Sequence, residues 1–181
     1  MAERKKTYVD SYNKKIVREF ILQRFQFESI VGLAGPDIND YLHHLETKGC
    51  KEFEIYENNS MVALQQLAKV KTKSKLSIVC GDILDANPYK PNTLFDLDFC
   101  ASVRFLQEHI AKFKDNFIMT FSTRIGLQET IDTFFKARKE TVLKEENINY
   151  PLPHTVYTTE NGNYLFIKYF DTSAMCCFAK I

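Results

Sequence analysis

The sequence predicts an α/β chain: a three-layer sandwich whose mostly parallel central sheet is covered on both faces by helices and closes with an antiparallel hairpin. Two observations carry this. From residue 29 to residue 143, short apolar runs alternate with stretches of helical spacing, and strands separated by helices pair in parallel because each crossover returns the chain to the same edge. The ending is different. Residues 154–159, 163–170 and 173–181 are close-spaced strand-like runs joined at Asn161-Gly162 and Asp171-Thr172, which are hairpin signals.

The elements follow in order. Residues 1–27 form a basic tail and an amphipathic helix, with Ile16, Phe20, Ile21 and Phe25 near helical spacing over residues 11–27. Residues 28–181 form one domain. Residues 29–35 read as a buried strand, and Pro36-Asp37 suits a helix start, since proline has no donor to lose there and an acid favours the positive end of the dipole. The stripe Ile38, Tyr41, Leu42 and Leu45 follows, closed by Lys48-Gly49. Residues 51–56 are the second strand, and Ser60 is positioned to cap a helix carrying Met61, Leu64 and Leu67. Residues 76–80 form the third strand, ending at Gly81-Asp82. A polar loop at 87–92 leads to a fourth strand over 94–99. Ser102 then caps a helix with Val103, Leu106, Ile110 and Phe113 on one face. The fifth strand covers 117–121, and a long helix spans 127–143.

Bulk properties exclude several classes. The chain has 181 residues, 45% hydrophobic and 26% charged, which is ordinary for a globular domain. A net charge of +1 lacks the basic excess of a dedicated nucleic-acid binder. No apolar run reaches membrane-spanning length and no signal peptide opens the chain, so the expectation is no membrane and a cytoplasmic location. Five cysteines, an odd number without zinc-type spacing, read as free thiols in a reducing compartment. Cys176 and Cys177 are adjacent and, in a strand, point to opposite faces.

The chemistry-bearing residues cluster at strand ends. Gly32-Leu33-Ala34-Gly35-Pro36-Asp37 breaks the first strand on glycines before a helix, which lets backbone approach a ligand closely. Glu57-Asn58 ends the second strand, where a carboxylate can accept hydrogen bonds from both hydroxyls of a ribose. Asp82 and Ile83 follow the third strand, and Asp82 is equally suited to capping the turn after it. In the fourth strand Asp96 and Asp98 share one face, and two acids on a buried strand need donors or a ligand-lined cleft. Ser122, Thr123 and Arg124 end the fifth strand. His43, His44 and His109 read as solvated or half-buried helix residues, while His154 enters the C-terminal sheet.

Five strand-helix units and an antiparallel ending, with acids at these strand ends, resemble the class I S-adenosylmethionine-dependent methyltransferases, a Rossmann-like fold. The resemblance covers residues 27–181. It implies S-adenosylmethionine as cofactor. Gly32, Ala34, Gly35 and Asp37 would lie against its methionine part, Glu57 and Asn58 at the ribose, and Asp82 and Ile83 at the adenine. Asp98 and Asp96 would be catalytic or substrate-facing; Asp98 would orient an amine acceptor and take its proton. The run Asp96-Leu97-Asp98 with Ser102 is also similar to a motif of the tRNA guanine-26 N2-methyltransferases, which keeps nucleic acid among the candidate acceptors. Gly32 stands where that superfamily usually has an acid. The alternative reading is accordingly a methyltransferase-like binding or assembly module without catalysis, and an oligomer fits either one. A nicotinamide-dependent oxidoreductase is the third reading, disfavoured because Gly32-x-x-Gly35 lacks the dinucleotide fingerprint.

Overall fold

The computed structural model describes residues 12–34, 48–70, 75–169 and 175–181. A nine-stranded sheet in the order β3-β2-β1-β4-β5-β9-β8-β7-β6 organises them. Its strands are β1 (Ser29–Leu33), β2 (Glu52–Glu57), β3 (Lys75–Cys80), β4 (Thr93–Ser102), β5 (Phe117–Ser122), β6 (Val142–Ile148), β7 (His154–Thr159), β8 (Gly162–Lys168) and β9 (Met175–Lys180). The first five pair in parallel, and the remaining four add on antiparallel. The parallel half is as the alternation predicts. The antiparallel ending is a four-stranded extension rather than a hairpin alone.

Alternation along β4 sets up the two outer layers. Leu94 faces a core that α1 (Tyr12–Leu22) completes with Val17, Phe20, Ile21 and Leu22. Phe95 and Leu97 face the other core, which the 3-10 turn Val103–Leu106, the short helix α3 (Gln107–Ile110) and α4 (Leu127–Arg138) cover. The second core is dense in rings. Phe134 stacks on Phe178 at 3.9 Å between centroids, and Phe121 and Tyr164 meet Phe134 edge-on. Cys176 and Cys177 fall in opposite cores, as strand alternation requires.

Several elements differ from expectation. The helix predicted over residues 36–48 falls almost entirely outside the described residues. On α2 (Ser60–Lys69) the cap is Asn59, not Ser60: its Oδ1 accepts from Met61 N at 3.0 Å and Val62 N at 3.4 Å. That helix also turns its apolar stripe outward, with Met61 64%, Leu64 59% and Leu67 53% exposed, while Ala63 and Gln66 are buried. Gln66 Nε2 donates to Ala34 O at 2.7 Å, so hydrogen bonding rather than apolar burial sets the helix's rotation. The helix expected after Ser102 is reduced to the 3-10 turn and α3.

The helix expected over 127–143 stops at Arg138. Lys139 takes a left-handed conformation (φ 57°), its N–H returning to Phe135 O and Lys136 O, and Val142 starts β6. The helical spacing of Val142 and Leu143 is overridden by pairing with β7.

Burial predicts thiol behaviour. Burial pushes the Cys177 thiol up to about 12 from 9.0 and raises Cys176 further, so both stay protonated and enclosed at pH 8, whereas Cys80 is exposed. Among these three cysteines, iodoacetamide at pH 8 is expected to modify Cys80 in the native protein, and Cys176 and Cys177 only after denaturant is added. Peptide mass spectrometry reads the outcome; fast native labelling of Cys177 would contradict this packing.

Candidate functional site

Register brings the strand-end residues into rows. Ile78, Ile55, Gly32, Asp96 and Ile118 lie level across β3, β2, β1, β4 and β5, on the face that α1 covers. Gly32 puts no side chain into that row. Two residues further toward the carboxyl ends, Cys80, Glu57, Asp98 and Thr120 form the next row, and β1 ends between Glu57 and Asp98. Their backbones are separated by two strand spacings, roughly 10 Å. Two carboxylates thus straddle the end of β1 on one sheet face.

Each carboxylate has protein partners. Glu57 is 9% exposed, and its Oε1 accepts from Asn59 N at 2.9 Å, which also steadies the start of α2. Asp96 is 2% exposed, and Asp98 lies nearer the rim. Arg18 of α1 reaches both, with Nη2 3.2 Å from Asp96 Oδ1 and 3.5 Å from Asp98 Oδ2. This supplies the donor that two acids on a buried strand require. Around them Thr120 Oγ1 lies 3.5 Å from Tyr169 Oη, and burial holds the Tyr169 phenol well above its ordinary value. Near neutral pH the phenol is therefore protonated, and either hydroxyl can be the donor in this contact.

The other predicted site residues divide. Asp82 is exposed, and its Oδ1 accepts from Leu84 N at 2.9 Å as the cap of the 3-10 turn Ile83–Asp85; its second oxygen does not enter that bond. The Ile83 side chain is 3% exposed and packs into the core. Asn58 is exposed beside Glu57. Ala34 contributes its carbonyl to Gln66. Gly35 and Asp37 lie outside the described residues, as do His43 and His44. Ser122 and Thr123 are buried and build the turn after β5, while Arg124 is exposed. His154 packs against Phe20 at 5.2 Å, and its Nδ1 lies 2.7 Å from Leu152 O, a structural placement under α1.

Arg18, Thr120 and Tyr169 were not singled out by sequence. The available signal was the pair of acids itself, since two carboxylates on a covered strand face call for a cation from the helix above. A groove of about 520 Å³, lined by Ser29, Val31, Glu54, Ser77, Lys90 and Thr93 among others, lies at the amino ends of the strands, away from these residues.

The arrangement of strands and helices is a Rossmann-like α/β sandwich, and solved S-adenosylmethionine-dependent methyltransferases share this fold. An S-adenosylmethionine-dependent methyltransferase from Clostridium acetobutylicum superposes with a TM-score of 0.54 at 9% identity, over 92% of this chain and 89% of that one. An S-adenosylmethionine-dependent O-methyltransferase from Thermotoga maritima gives 0.55 at 12%, over 98% and 68%. The N-methyltransferase NodS from Bradyrhizobium japonicum, in complex with S-adenosyl-L-homocysteine, gives 0.52 at 12%, over 93% and 85%. No family model matches the sequence, and no curated protein matches it. At these identities the likeness defines the fold.

Proposed function

We propose that this chain is an S-adenosylmethionine-dependent methyltransferase that binds its cofactor across the carboxyl ends of β1 to β3 and presents an amine acceptor beside β4. The observation that carries this is the pair Glu57 and Asp98 straddling the end of β1 on one sheet face, with Gly32, which bears no side chain, in the buried row beneath them.

The donor set fits an adenosyl ligand. Glu57 commits Oε1 to Asn59 N, and its other oxygen is available to a ribose hydroxyl. Asp82, exposed after β3, offers an oxygen for an adenine amino group, with Asn58 adjacent to the ribose. Ile83 contributes to the wall from beneath, because its side chain belongs to the core. Gly32, Ala34, Gly35 and Asp37 would approach the amino-acid end. When bound, S-adenosylmethionine supplies a methyl group on a sulfonium, activated for transfer to a nucleophile. The protein's share is then mainly positioning. Asp98, braced by Arg18, accepts a hydrogen bond from the acceptor amine and orients it, and Asp96 holds Arg18 in place from below. A small molecule or an exposed nucleic-acid base satisfies this chemistry equally.

Gly32, standing where an acid is usual, favours a second reading: a methyltransferase-like binding module without turnover. Calorimetric titration with S-adenosylmethionine and S-adenosyl-L-homocysteine tests the binding reading both share. Saturable binding of both at one site is the expected result, and no heat at millimolar ligand would remove the cofactor assignment. Methyl transfer to candidate amines then separates enzyme from module. Saturable NADH binding instead would revive the oxidoreductase reading.

A further inference from the structure

β6 is the outermost strand of the antiparallel half, and all seven of its residues are exposed. Among the described residues nothing pairs with its outer edge. Such an edge is a template for another strand unless its side chains forbid it. A row of like charges would forbid it, but β6 carries both signs, Lys144 beside Glu145 and Glu146. Lys144 and Glu146 share one face and form an ion pair at 2.8 Å, and both are more than half exposed.

We propose that β6 is the surface through which two copies of this chain pair antiparallel, extending both sheets into one. A two-fold axis perpendicular to the sheet must map residues of the same face onto each other. The β-bulge between Val142 and Lys144 confines the regular stretch to residues 144–148. Centring the axis on Glu145 sets Lys144 opposite Glu146 of the partner subunit, and Glu146 opposite Lys144 of the partner subunit. With the ion pair already present in each chain, four charges of alternating sign then line one face. Moving the register by one residue pair in either direction sets Lys144 against itself or Glu146 against itself. The charge pattern therefore selects both the partner, a second copy, and the register.

Apolar surface beside the strand agrees. Leu143 is 66% exposed and Tyr150, just past the other end, is 85% exposed. The pairing has one adverse contact, since Glu145 meets Glu145 of the partner subunit on the other face. A contact built on one strand is small for a stable dimer, so the association is concentration-dependent.

Sedimentation velocity on the full chain over a concentration series tests this, with S-adenosyl-L-homocysteine titration of the same samples as an independent check on the ligand site. The expected result is a reversible dimer. Lys144→Glu and Glu146→Lys each replace two opposite-charge contacts by like-charge ones and weaken it by about tenfold or more. Mixing these two variants, or combining both changes in one chain, restores association, and Glu145→Gln tightens it. A native chain that stays monomeric throughout, leaving the edge to solvent or to a different protein, overturns the proposal. So does a dimer that neither charge reversal weakens. Because every β6 side chain is exposed, the variants keep the native circular dichroism spectrum.

Discussion

Replacing Arg138 by alanine is expected to lower the unfolding free energy by about 3–5 kcal/mol, the range for breaking a buried ion pair from one side. Arg138 and Glu140 are 4% and 3% exposed at their side chains, 3.0 Å apart. The guanidinium does more than pair. Nη1 donates to Ile110 O at 3.1 Å and Phe113 O at 2.8 Å, Nη2 to Lys114 O at 3.3 Å, and Nε to Tyr164 Oη at 2.8 Å. It also lies 4.9 Å from the Phe117 ring centroid. Glu140 in turn accepts from Tyr164 Oη at 2.7 Å and Thr159 Oγ1 at 2.8 Å. Arg138 thus ties the end of α4 to the turn after α3 and to β8, and Glu140 carries the link on to β7. Its loss strands a carboxylate and several carbonyls in the ring-rich core.

Urea unfolding measures the effect. Glu140→Gln keeps a hydrogen-bonding partner and should cost less, while Arg138→Lys should recover little, because an ammonium cannot span these acceptors. A change under 1 kcal/mol for Arg138→Ala would mean that the network is not formed in solution.

Glu57→Ala should weaken S-adenosyl-L-homocysteine binding by about 10- to 100-fold, the worth of hydrogen bonds to a charged group. The same change removes the acceptor of Asn59 N–H at the head of α2, at a cost of about 1 kcal/mol. The two effects are separable. Glu57→Gln retains an oxygen for Asn59 and so should fold with near-native stability, yet it presents an amide where the ribose hydroxyls need an acceptor. Native affinity in Glu57→Gln would exclude ribose recognition by this residue. Calorimetry at matched folded fractions makes the comparison.

Particular residues show what local pattern can and cannot carry. β1, β2 and β5 lie within about two residues of their predicted limits because their apolar runs are bounded by turn chemistry. Glu57 at the end of β2 and the shared face of Asp96 and Asp98 were legible for the same reason, as strand alternation is local. The end of α4 was not. Val142 and Leu143 continue its helical spacing, and only pairing with β7, a contact between distant residues, decides for a strand. Arg18 was hidden in the same way, since its role depends on α1 docking over β4, some eighty positions along the chain. Met61, Leu64 and Leu67 misdirect a periodicity argument outright, because Gln66 bonding to Ala34 turns that stripe to solvent.

The short connection between β3 and β4 has a consequence for how this molecule comes apart. Among the described residues, the connection from β3 to β4 holds only a 3-10 turn, and beside it every position of β3 is exposed or half-buried. β5, by contrast, is buried along its whole length between β4 and β9. The two sides of the sheet therefore form cooperative units of unequal strength. β3 and α2 can open while the ring-packed centre stays closed. Because Glu57 and Asp82 belong to the weaker unit, a ligand bridging them to β4 would fasten it, joining recognition of a small molecule to the completion of folding.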